Sequence, residues 1–120
     1  MIELSNWTNI FLFTRATDMR KGFDQLAEVV RVQLKRSVIE GGLFVFFSRK
    51  RDRVKVLFWD RDGYAIFYKR LEAGVFRVEE KDGVEEVTAV DLKLLLEGMD
   101  LSRIKLRQAA QNGLFTQAAA

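Results

Sequence analysis

LFVFFSRKRDRVKVLFWDRDGYAIFYK, residues 43–69, sets the architecture of this chain. Three runs rich in β-branched and aromatic residues, LFVFF, VKVLFW and YAIFYK, are separated by SRKRDR and DRDG. Short runs of this kind, bounded by turn-forming polar residues, read as an antiparallel meander. Asp62-Gly63 marks the second turn as a hairpin. In the second run Val54, Val56 and Phe58 point one way and Lys55, Leu57 and Trp59 the other. Both faces are largely apolar, so the sheet is expected to be covered on both.

The same stretch concentrates positive charge. Arg49, Lys50, Arg51, Arg53 and Lys55 lie in or beside the first turn, with Asp52 among them. A meander returns to the same end at every second turn, so Lys69 and Arg70 are predicted to lie beside Arg49–Arg53. Such a rim repels itself unless an anion sits there, and nucleic-acid phosphate is the commonest large one. Lys and Arg alone supply affinity and salt sensitivity rather than sequence reading.

Upstream, Ile10–Phe13 reads as a first strand. Thr17 and Asp18 are capping candidates for a helix running to about Arg36, with Phe23, Leu26, Ala27, Val30 and Leu34 on its inner stripe. On this reading Arg20 and Lys21 occupy the first helical turn, where the helix dipole makes cations unfavourable unless they meet an anion. The competing reading is local pairing of Arg20 with Asp18 and Asp24. Glu40-Gly41-Gly42 breaks the chain before the meander.

Downstream, Val75–Val78 reads as a fourth run and Val84–Val87 as a further short strand. Thr88 and Asp91 have capping-box spacing for a second helix carrying Leu92, Leu95 and Leu96, and Gly98 ends it. Residues 101–120 form a basic, low-complexity tail with Arg103, Lys105 and Arg107, frayed at Thr116–Ala120. The expectation is a single α+β domain over residues 1–100: a small twisted antiparallel sheet of four to six strands with two main helices packed on it.

Composition narrows the function. The chain has 120 residues, no Cys and no His. Disulfides, thiolate chemistry, the usual zinc ligands and the usual general base are all missing. No phosphate-binding glycine loop, nucleophile elbow or metal-ligand spacing is present. Asp60 and Asp62 flank a turn, where Asp commonly accepts backbone hydrogen bonds. The aromatics Phe58, Trp59, Tyr64, Phe67 and Tyr68 are expected in the core, with base stacking as the alternative. No catalytic residue, cofactor or metal is expected, and the protein is not expected to be an enzyme.

The net charge is only +3, yet residues 1–78 carry fifteen cations against nine anions, while residues 79–100 carry two against eight. A polyanion-binding face opposite an acidic face is the sharp reading of this segregation, and an ordinary solvated surface the bland one. MIELSNWTNIFLF at the N-terminus reads as neither a signal peptide nor a membrane span, so no membrane association and a cytoplasmic setting are expected.

TDMRKGFDQLA (residues 17–27), LFVFFSRKRDRVKVLFWDRDGYAIFYKRLEAGVF (residues 43–76) and LLEGMD (residues 95–100) together resemble the accessory protein, TnpB or second open reading frame product, of insertion sequence 66 transposable elements. The shared motif covers Asp18, Met19, Arg20, Lys21, Gly22 and Phe23, then Arg51, Asp52, Arg53, Trp59, Asp60, Gly63, Tyr68, Lys69 and Arg70. The resemblance implies a bacterial mobile element and a non-catalytic part in transposition beside a separate transposase. The leading expectation is a DNA-binding module contacting phosphate through Arg20, Lys21, Arg49, Lys50, Arg51, Arg53, Lys69 and Arg70. The alternative is an adaptor docking on the transposase.

Overall fold

The computed structural model describes residues 7, 9–106 and 109–110. Strand β1 (Ile10–Phe13) leads through helix α1 (Phe23–Leu34) and a 3-10 turn (Val38–Glu40) to β2 (Leu43–Phe47), β3 (Arg53–Asp60) and β4 (Gly63–Arg70). Strand β5 (Val84–Val87) and helix α2 (Ala89–Leu96) follow. The five strands form one sheet in the order β4-β3-β2-β1-β5.

The class is α+β and the meander β2-β3-β4 is antiparallel, as the sequence predicts. The sheet is nevertheless mixed, because β1 pairs parallel with β2, Ile10 opposite Leu43 and Phe13 opposite Phe46. Two neighbouring parallel strands need a crossover connection, and α1 supplies it. Strand β5 then closes the other side of β1 antiparallel, with Leu12 opposite Glu85.

Both faces are covered. On one, Phe13, Phe44, Phe46 and Leu57 pack with Leu26 and Val30 of α1. Phe13 and Phe46 stack with ring centroids 4.6 Å apart. On the other, Ile10, Leu12, Val45, Phe47, Val54 and Val56 pack with Leu92 and Leu95 of α2. The side chains alternate between these clusters along each strand, as the pleat requires. The α1 stripe is narrower than the sequence predicts: Leu26 and Val30 are buried, whereas Phe23 at the helix start is 49% exposed.

The Val75–Val78 run does not join the sheet. Its alternation survives, with Phe76 and Val78 buried in the α2-side core and Arg77 exposed. Its backbone bonds elsewhere: Phe76 N–H donates to Arg51 O at 2.7 Å, and Arg77 O accepts from Leu101 N–H at 3.0 Å. The capping box of α2 forms as predicted, with Asp91 N–H donating to Thr88 Oγ1 and Thr88 N–H to Asp91 Oδ2, both at 3.1 Å. Residues 101–106 are helical, and Leu101 and Ile104 are buried in the same core, so packed structure runs past residue 100. The frayed end expected at residues 116–120 lies outside the described residues. No helix among the described residues is long and apolar enough to cross a membrane.

Candidate nucleic-acid interface

The β3–β4 register sets Arg53 directly opposite Arg70. The β2–β3 turn stands at this same end of the sheet. It is tightly built: Ser48 N–H donates to Arg53 O, Arg51 N–H to Ser48 O and Arg53 N–H to Ser48 Oγ, each at 3.0 Å. The Ser48 hydroxyl in turn donates to Asp52 Oδ1 at 3.1 Å. Arg49 and Lys50 form the exposed tip and make no ion pair among the described residues.

Arg51 does not belong to the exposed rim. It is only 8% exposed. Its Nη2 donates to Thr14 O at 2.5 Å, and its guanidinium lies 5.9 Å from the Phe47 ring centroid. Burial pushes its pKa down, opposed by the charge of Glu80. Its φ of 61° places it in the left-handed region, and that bend turns the side chain of a turn residue inward. Arg51 therefore fastens the turn to the end of β1, and its guanidinium, buried against Phe47 and Thr14, is withdrawn from the surface a phosphate would reach.

Arg20 and Lys21 also sit elsewhere than predicted. Helix α1 begins at Phe23 with Gly22 as N-cap, so both cations precede the helix and the dipole argument does not apply to them. The Gly22 N–H is taken by Gln25 Oε1 at 2.9 Å. Arg20 pairs with Asp18, Nη2 to Oδ2 at 2.6 Å, and its own N–H donates to Oδ1 at 2.9 Å. These hydrogen bonds hold the Asp18 carboxyl far below the usual carboxylate range. Thus the local pairing involves Asp18, not Asp24.

What brings residues 19–21 to the rim is Lys55. Its Nζ donates to Met19 O at 2.6 Å and to Lys21 O at 2.8 Å, and lies 4.8 Å from the Tyr68 ring centroid. Lys55 is 8% exposed, so its charge is spent on these carbonyls and this ring. Arg53, Lys55, Tyr68 and Arg70 share the α1 face of the sheet, because residues 53 and 55 stand opposite 70 and 68. Lys69, opposite Val54, points to the other face. Arg53, Tyr68 and Arg70 line a shallow depression. Tyr68 is 48% exposed, and its hydroxyl accepts from Arg53 Nη1 at 3.3 Å. Arg70 is also held by Glu72, at 3.1 Å.

At the far end of the hairpin, Asp62 N–H donates to Asp60 O at 2.6 Å, Arg61 has a φ of 58°, and Trp59 Nε1–H donates to Arg61 O at 3.0 Å. Gly63 opens β4 rather than occupying the turn, so the Asp-Gly signal locates the hairpin one residue late. Among the described residues no group of three or more acidic side chains could hold a metal ion.

The family model described as IS66 Orf2 like protein matches residues 8–106. The chain belongs to the IS66 Orf2-like family. That family comprises accessory proteins of insertion-sequence transposition. Two curated relatives come from Sinorhizobium fredii (strain NBRC 101917 / NGR234), and both carry the name uncharacterized protein. The chain is similar to y4jC, 32% identical over 106 residues that cover 88% of this chain and 91% of the relative. It is also similar to y4hO, 37% identical over 101 residues that cover 83% of this chain and 88% of the relative. No solved structure matches it.

In this IS66 Orf2-like protein the structure thus gathers Arg49, Lys50, Arg53 and Arg70 at one end of the sheet, with Arg20 and Lys21 tethered alongside. Lys69 lies beside them on the opposite face, and Arg51 is withdrawn into the core. Two residues carry more than the sequence assigns them. Lys55 is an organiser rather than a surface cation, and Tyr68 is exposed rather than core. The pairing of a strand lysine with an aromatic thirteen residues later across a hairpin is the signal for both. Replacing the buried donor, Lys55→Met, removes charge-assisted hydrogen bonds worth about 1.5–3 kcal/mol. The expected result is a lower melting temperature, with faster amide hydrogen exchange over residues 17–22 than at the β2–β3 turn.

Proposed function

We propose that this IS66 Orf2-like protein is a non-catalytic accessory protein that binds DNA through the phosphate backbone, using the rim of Arg49, Lys50, Arg53 and Arg70, with Lys21, Arg20 and Lys69 at its margins. The observation that carries the reading is the register of Arg53 opposite Arg70 beside the exposed tip Arg49-Lys50. Like charges directly opposite one another across a strand pair are destabilising, and a polyanion removes that cost. Tyr68 offers a ring on the same face, next to Arg70 along β4 and diagonal to Arg53, suited to a base or a sugar. Arg20 and Arg70 join only by exchanging Asp18 and Glu72 for phosphate. The binding is electrostatic and tolerant of sequence, and its dependence on salt tests it.

A second reading is favoured by the opposite edge. Asp82 and Glu86 are exposed beside or on β5, three strands away from β3, and Glu79 and Glu80 are exposed on the segment leading to it, where the charge of Glu80 still reaches Arg51. That surface suits a basic protein partner such as the element's transposase. A pull-down with transposase after nuclease treatment separates the two readings. Loss of the complex is expected if DNA bridges the proteins, whereas a complex that survives nuclease and is abolished by Glu79→Gln, Glu80→Gln and Glu86→Gln together supports the adaptor.

A further inference from the structure

We propose that two copies of this chain pair through β4 to form a continuous antiparallel sheet across a two-fold axis at Ile66. Strand β4 is an edge: it bonds to β3 and to no other strand. It has eight residues and an uninterrupted register with β3, so no bulge twists it away. Its middle, Tyr64-Ala65-Ile66-Phe67-Tyr68, carries neither charge nor proline. Natural edges are usually blunted by at least one of these devices.

The backbone groups facing outward follow from the register. Leu71 N–H bonds to Asp52 O, which makes residues 52 and 71 a hydrogen-bonded pair. Alternation along the ladder then makes 54 with 69, 56 with 67, 58 with 65 and 60 with 63 the bonded pairs. Tyr64, Ile66, Tyr68 and Arg70 consequently direct their N–H and C=O groups away from β3, toward the open edge. A two-fold axis normal to the sheet at Ile66 sets these groups against their own copies. Ile66 faces Ile66, Tyr64 faces Tyr68, and Ala65, the smallest side chain of the strand, faces Phe67.

Charge selects this register. Asp62 lies at one end of the strand and Arg70 at the other, and pairing centred on Ile66 sets each Asp62 opposite the other copy's Arg70. That contact would compete with Glu72 for the guanidinium. About six backbone hydrogen bonds would form. The arrangement keeps both α1-side faces on one side of the joined sheet, with the two Arg70 positions about 27 Å apart along the strands. The pairing stands independently of DNA binding.

Sedimentation velocity of the full chain at micromolar concentration, after nuclease treatment and in high salt, tests it. The wild type and Ile66→Ala are expected to sediment as dimers and Ile66→Pro as a monomer, since only proline removes the outward N–H while leaving the β3 ladder untouched. Circular dichroism checks that both variants fold. A monomeric wild type, or Ile66→Pro as dimeric as Ile66→Ala, overturns the proposal. If Ile66→Pro fails to fold, Asp62→Arg decides, measured after nuclease treatment at about 0.05 M salt, where exposed charges are little screened: it is expected to weaken the dimer at least tenfold, with recovery in Asp62→Arg combined with Arg70→Asp. A dimer unaffected by Asp62→Arg overturns the proposal equally.

Discussion

Arg51→Ala is expected to destabilise the fold by about 2–4 kcal/mol, lowering the melting temperature by roughly 10 °C or more. Two losses add up. The buried Thr14 carbonyl loses its guanidinium donor. The contact of the guanidinium with the Phe47 ring disappears. The φ of 61° is equally unfavourable for arginine and alanine, since both carry a Cβ, and it is relieved only by glycine. That bend gives the prediction its signature. Arg51→Gly should be more stable than Arg51→Ala by about 1 kcal/mol, the reverse of the order expected at an ordinary strand or helix position. Thermal melts of both variants check this. A melting temperature unchanged in Arg51→Ala would mean that the side chain is not the fastening that the structure shows.

The second large effect is on binding. Arg49→Gln, Lys50→Gln, Arg53→Gln and Arg70→Gln combined should leave the melting temperature within a few degrees of wild type. None of the four is in the core, and removing the Arg53–Arg70 opposition relieves repulsion. DNA affinity at about 0.1 M salt should fall roughly 10²- to 10³-fold, with each lost contact flattening the salt dependence by about one unit of slope. Fluorescence anisotropy with unrelated duplexes measures both, and all duplexes should be affected alike, because phosphate contacts carry no sequence information. Arg51 does not belong in this set, since its replacement would confuse unfolding with loss of contact.

The contrast between these variants shows what the sequence discloses. Alternation and turn signals were enough for the meander, and the meander alone brings Arg53 to Arg70. The parallel pairing of β1 with β2 is implied by strand–helix–strand order, but it depends on which edge of the meander β1 chooses, and local patterns say nothing of that. The Val75–Val78 alternation correctly foretells which side chains are buried. It does not foretell strand structure, because a strand needs a ladder partner and this segment bonds to the β2–β3 turn and to Leu101. Arg51 looks like its neighbours Arg49, Lys50 and Arg53 in a list of residues. Its burial is set by a left-handed backbone bend and by the accepting carbonyl of Thr14 just past β1, both of which arise only on folding. Lys55 is similar: its partners are carbonyls of residues 19 and 21, and side-chain chemistry at those positions gives no hint of them. Arg20 is the opposite case, since Asp18 lies two residues away and the sequence itself offers that pairing.

The most direct measurement is a salt titration of DNA binding by the wild-type protein. If the rim makes about four to six phosphate contacts, as proposed, the logarithm of the binding constant should fall against the logarithm of salt concentration with a slope of roughly −4 to −5. A slope near zero, or no binding even at low salt, would contradict the account.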